Sequence, residues 1–104
     1  MMRLAAALLA ASCTCVLAAD PPPGRIKAQS CIPCHGQLGI GTMPDAPHLA
    51  GQPRIYLEQQ LKDFRTGKRR HEVMNVIAKP LTDADIAALA EWFSSIAIEA
   101  KEKT

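Results

Sequence analysis

Large aromatic side chains are scarce: Tyr56, Phe64, Trp92 and Phe93 are the whole supply in 104 residues. A core built mainly on aromatic packing is therefore out of reach. Alternation of apolar and polar residues is missing throughout, which leaves no strand pattern and points to an all-α chain. No internal repeat and no second hydrophobic unit is present, so one domain is expected. Neither sign of charge is in large excess: the net charge of +2 gives no ground for a nucleic-acid partner. Long hydrophobic runs are missing as well. The uncharged stretch 4–19 falls short of the roughly 20 apolar residues a membrane span requires, so stable membrane insertion is not expected.

That stretch reads instead as an export signal. Arg3 supplies a positive start, an apolar run follows from Leu4, and small residues close it at Ala18 and Ala19. Residues 1–19 are expected to be a cleaved signal peptide and 20–104 the mature domain, located in the periplasm. A retained N-terminal anchor is the competing reading. Cys13 is a poor lipid-attachment site, because Ala10-Ala11-Ser12 lacks the large aliphatic residue such sites usually carry. Cleavage removes Cys13 and Cys15 and leaves Cys31 and Cys34. A disulfide between residues so near in sequence closes a tiny loop and staples little. These two thiols need another use.

Helical signals account for the rest. The run "PPPG" at 21–24 is a stiff, extended lead-in. A short helix is expected from Gly24 or Arg25 to about Gly36, distorted locally by Pro33. Residues 36–52 hold four glycines with Pro44 and Pro47 and read as a loop. Pro53 marks the start of a second helix and Gly67 its stop, with Leu57, Leu61 and Phe64 as its apolar stripe. A brief helical segment at about 71–78 ends before Lys79-Pro80. The last helix begins at Thr82, where Asp85 completes a capping box. Ile86, Leu89, Ala90, Phe93, Ile96 and Ala97 keep one of its faces apolar.

The chemistry lies in "SCIPCHG", residues 30–36, where Cys31, Cys34 and His35 stand in C-x-x-C-H spacing. A structural zinc needs four ligands, usually in two pairs. Here one Cys pair is joined only by His35, His48 and His71, and His35 is too close in sequence to share a tetrahedral ion with both cysteines easily. A redox dithiol of the thioredoxin kind follows a strand in a βαβ setting, and no strand is on offer. Haem c fits: the spacing lets both sulfurs form thioethers to one porphyrin while His35 becomes an axial iron ligand. At roughly 85 residues the mature domain is near the size at which one core supplies only a few kcal/mol. A planar apolar cofactor would supply the missing core.

The second axial ligand sets the function. Met43 lies eight residues after His35 in the loop, whereas Met74 lies beyond a whole helix, which gives the chain length to reach the other haem face. Met74 is the chosen ligand and Met43 a surface or haem-packing residue. His71, one turn before Met74, is the competitor; beside "GKRR" it reads as a solvated side chain. His48 reads as a surface or loop-packing residue.

The segments "GRIKAQSCIPCHG", "PHLAGQPRIYLEQQLKDFRTGKR" and "VMNVIAKPLTDADIAALAEWF" resemble a class I cytochrome c, of the small monohaem bacterial type and like one half of a dihaem cytochrome c4. The resemblance implies three to five helices around one covalent haem, with the first and last helices crossing. It implies that the Pro47 carbonyl accepts a hydrogen bond from His35 Nδ1–H, and that Leu49 packs on the haem. Trp92 and Phe93 take the aromatic place in the last helix. The first helix, cut short by "PPPG", departs from the usual pattern at the crossing.

The function expected is that of a periplasmic single-electron carrier with His35/Met74 ligation, not an enzyme. Its partners would be redox proteins: a cytochrome bc1-type reductase, a terminal oxidase or a dehydrogenase. The alternative is a haem sensor, or a haem subunit of a larger complex, with a labile sixth ligand. Arg54, Lys62, Arg65, Lys68, Arg69, Arg70 and Lys79 outnumber Glu58, Asp63 and Glu72 along 54–79. That bias points to an acidic docking surface on the partner.

Overall fold

The computed structural model describes residues 12–104. Most of the expected signal peptide therefore lies outside the described residues. Among these residues five α-helices follow in order: α1 (Pro23–Lys27), α2 (Ile32–His35), α3 (Arg54–Thr66), α4 (Glu72–Ala78) and α5 (Asp83–Ser94). Among the described residues there is no strand. The all-α expectation holds.

The first helical run begins with Pro23, whose fixed φ and missing N–H suit the first turn. It is not one continuous helix. A 3-10 segment, Ala28–Cys31, separates α1 from α2. Pro33 explains the break: it cannot donate to the Gln29 carbonyl, and its ring crowds that carbonyl, so the chain tightens in the turn before it. Gly36 ends the run at φ 79, and a Cβ there would collide with the Ile40 carbonyl oxygen.

Despite its brevity, α1 crosses α5 closely. Gly24 is buried against the Ala88 carbonyl and lies beneath Trp92. Lys27 Nζ pairs with Asp85 at 3.1 Å, and the Arg25 guanidinium stands 5.8 Å from the Trp92 ring centroid. The crossing that "PPPG" put in question is made. Trp92 Nε1 is buried without a hydrogen-bond partner among the described residues.

Helix α3 shows the expected stripe, with Leu57 and Phe64 buried and Leu61 half-buried. Gly67 closes it in the left-handed conformation at φ 83, its N–H donating to the Phe64 carbonyl. In α5 the Thr82 hydroxyl accepts from Asp85 N–H at 3.1 Å, and the Asp85 carboxylate accepts from Thr82 N–H at 3.0 Å. The helix stops at Ser94, short of Ile96 and Ala97. Ser94 and Ser95 hydroxyls donate to the Glu91 and Trp92 carbonyls, and Gly51 N–H takes the Phe93 carbonyl at 2.9 Å. With those end carbonyls satisfied, nothing holds another turn. Ile96 still packs on the core, while Ala97 is exposed.

The central cluster is Ala28, Leu57, Leu89, Ala90 and Phe93, with Cys31, Leu49, Leu61, Leu81, Trp92 and Ile96 packed against it. Two of its five buried members are alanines. This is a thin core for a chain of this length.

Candidate haem site

Cys31, Cys34 and His35 are placed by the 3-10 segment and the single turn of α2. Both thiols are free, and both cysteines are half-buried. Burial pushes the Cys31 thiol up from its ordinary value, so it is no activated thiolate of a redox dithiol. Among the described residues no group of three or more His, Cys, Asp or Glu side chains is arranged to hold a metal ion by itself. A porphyrin brings its own four nitrogens and asks the protein only for axial donors.

His35 is 7% exposed. Its Nδ1 lies 2.9 Å from the Pro47 carbonyl oxygen, twelve residues on. A carbonyl can only accept, so the proton sits on Nδ1 and Nε2 is left with a free lone pair. The loop carrying Pro47 is fastened to the same region. Thr42 N–H donates to the Cys34 carbonyl at 3.0 Å, and Leu49 and Ala50 N–H both donate to the Gly39 carbonyl, at 2.7 and 3.1 Å. Leu49 is half-buried against the core cluster, which Cys31 also touches. The fold thus gathers Cys31, Cys34, His35, Pro47 and Leu49. Met74 is not joined to them by any of these bonds or core contacts.

Met74 sits half-buried on α4, next to half-buried Asn75, whose amide reaches the Phe64 carbonyl of α3. Met43 is 47% exposed in the loop. His71 is exposed, as its solvated reading has it, and it also has a structural task. It is the N-cap of α4: its Nδ1 accepts from Val73 N–H at 3.3 Å and Met74 N–H at 3.2 Å. Asn75 fixes the turn before the helix. Its Nδ2 donates to the Phe64 and Arg69 carbonyls, both at 2.8 Å, and its Oδ1 accepts from His71 N–H at 2.8 Å. Sequence reasoning passed over Asn75 and this role of His71. Histidine is not a usual N-cap residue, and Asn75 acts on carbonyls six and eleven residues away.

The donor set fits a covalently held haem. Two free thiols precede, on the same short run, a buried imidazole whose outer nitrogen is free, and apolar Leu49 packs on the same cluster as Cys31. Comparison with known proteins agrees. The family model for cytochrome c matches residues 25–97. The chain belongs to the cytochrome c family. Cytochrome c-554(548) of Halomonas halodenitrificans is 40% identical over 81 residues, covering 75% of this chain and 98% of that one. A thiosulfate dehydrogenase electron acceptor of Thiomonas intermedia is 47% identical over 81 residues, covering 76% of this chain and 35% of that protein. The crystal structure of reduced cytochrome c4 from Pseudomonas stutzeri superposes with a TM-score of 0.69 at 35% identity, covering 77% of this chain and 47% of that one. This cytochrome c therefore spans about a third of the Thiomonas protein and about half of the cytochrome c4. It is a class I cytochrome resembling half of cytochrome c4, with the covalent c-type haem and electron-transfer role of its family.

Proposed function

We propose that this cytochrome is a periplasmic carrier of single electrons, exported by residues 1–19 and holding one haem. Cys31 and Cys34 would form the thioethers, and His35 and Met74 would be the axial ligands. A bound haem supplies a one-electron iron couple. The protein's part is to hold the donors and exclude other ligands, and no substrate is transformed. The observation that carries the reading is the His35–Pro47 hydrogen bond, which fixes the ring and leaves Nε2 as the donor atom. A firmly bonded Nδ1–H also makes the imidazole a stronger donor. Met74 is supported by its half-buried place and by the bonds from His71 and Asn75 that order its turn. Held by one thioether and one imidazole, a bound haem would have a higher potential than one held by two imidazoles.

The relatives named as thiosulfate dehydrogenase electron acceptors support a periplasmic dehydrogenase as donor; a bc1-type reductase and a terminal oxidase are the other partner classes. The test is expression with a c-type maturation system, then haem staining and reduced-minus-oxidised spectra. Met74→Ala should keep covalent haem, lose the sulfur-to-iron charge-transfer band and lower the midpoint potential. Survival of that band in Met74→Ala with its loss in Met43→Ala would overturn the ligand assignment. Rapid carbon monoxide binding by the native ferrous protein would mark a labile sixth position, as in a sensor or a complex subunit.

A further inference from the structure

Three consecutive loop residues, Pro47, His48 and Leu49, each hold a different partner. The Pro47 carbonyl accepts from His35 Nδ1–H at 2.9 Å. His48 Nδ1 accepts from Gly41 N–H at 2.8 Å. Leu49 N–H donates to the Gly39 carbonyl at 2.7 Å. Gly41 is pressed against the returning chain: a Cβ there would collide with the Ala46 carbonyl oxygen and come within 3.3 Å of the Pro47 carbonyl oxygen. The backbone at Gly41 is thus held between the His48 ring and the Ala46 and Pro47 carbonyls. Thr42, the next residue, is bonded through its N–H to the Cys34 carbonyl beside His35.

We propose that His48 is a positioning residue for the proximal iron ligand: by holding Gly41 N–H, its Nδ1 sets the Pro47 carbonyl against His35. The inference rests on the reading of His35 as an axial ligand. The Leu49 and Ala50 bonds to Gly39 are backbone bonds and survive any change of side chain. The bond to Gly41 belongs to the imidazole and is lost with it. Without it the 41–47 turn can open, and the Pro47 carbonyl then rests on His35 for a smaller fraction of the time. A less firmly bonded Nδ1–H makes His35 a weaker donor, which favours ferrous over ferric iron.

The experiment compares His48→Ala with His48→Asn in the holoprotein. Asparagine carries Oδ1 as many bonds from Cβ as Nδ1 in histidine, so it can restore an acceptor for Gly41 N–H. Two quantities are measured: the solvent exchange rate of His35 Nδ1–H by NMR, and the midpoint potential. His48→Ala should speed exchange about fivefold, the effect of one ordinary hydrogen bond, and raise the potential. His48→Asn should stay within about twofold of the native exchange rate, with a potential near native. Native exchange and potential in His48→Ala would overturn the proposal, as would a His48→Asn protein that behaves like His48→Ala. A native protein whose spectra show no histidine-ligated c-type haem would overturn the reading of His35 first, and this proposal with it.

Discussion

Asn75 ties three backbone groups with one amide: the Phe64 and Arg69 carbonyls and the His71 N–H. Met74 is its neighbour, so the order of the turn that carries the proposed sulfur ligand depends on this amide. Asn75→Ala leaves the partly buried Phe64 carbonyl without this donor, whereas the exposed Arg69 carbonyl and His71 N–H can turn to water. A loss of about 1–2 kcal/mol is expected by chemical denaturation. The charge-transfer band of the ferric protein should weaken in parallel as Met74 departs more often. A variant with native stability and a native band would show that α4 holds its own register. Asn75 was illegible from sequence because its partners are set by how the 67–71 turn folds back, not by any spacing rule.

At the scale of elements, Gly24 decides how near α1 comes to α5. Gly24→Ala should gain about 1 kcal/mol in helix propensity. The added Cβ, however, would collide with the Ala88 carbonyl, a backbone atom that cannot rotate away. Overpacking of this kind costs about 1–3 kcal/mol, so the variant should melt below the native protein. The capping box of α5 gives a second prediction. The Thr82 backbone N–H, and then Lys27, hold the Asp85 carboxyl below the usual carboxylate range. A depressed pKa means the folded state binds the proton less readily than the unfolded chain. The stability contributed is complete above about pH 4 and is lost as pH falls through the lower folded value. Thr82→Ala should cost about 1 kcal/mol at neutral pH. Its deficit against the native protein should shrink in acid titrations, where the Asp85 half of the box is already gone. A deficit constant down to pH 2 would remove the box as the cause.

Across the whole molecule, the distribution of charge has a consequence for association with a partner. Several of the cations along 54–79 are already engaged. Arg54 pairs with Glu58, and Arg65 pairs with Asp83. Arg69 donates to Gln60 at 2.6 Å and lies 4.6 Å from the Phe64 ring centroid. Lys68, Arg70 and Lys79 are exposed and make no ion pair among the described residues. Steering of an acidic partner should therefore rest on these three. Charge reversal at Lys68 and Arg70 should lower the association rate severalfold at low salt, and the difference should fade as the screening length falls to about 8 Å. Arg69→Glu should act through stability instead. Stopped-flow rates with the native partner that are independent of salt would remove the steering claim.

By itself the sequence determined the helical class, the stops at Gly36 and Gly67, the Thr82–Asp85 box and the C-x-x-C-H motif with its chemistry. Each is written in residues a few positions apart, where proline, glycine and capping side chains act on their own turn of backbone. Only the tertiary structure decided which acid took Arg65, that His71 caps a helix, and that His48 braces the loop whose Pro47 carbonyl meets His35. Those pairings join residues seven to eighteen positions apart or draw on rarely used side-chain atoms. The break before Pro33 lies between the two. Its cause, Pro33, was legible as a local distortion, while its form, the 3-10 segment Ala28–Cys31, was seen only in the structure.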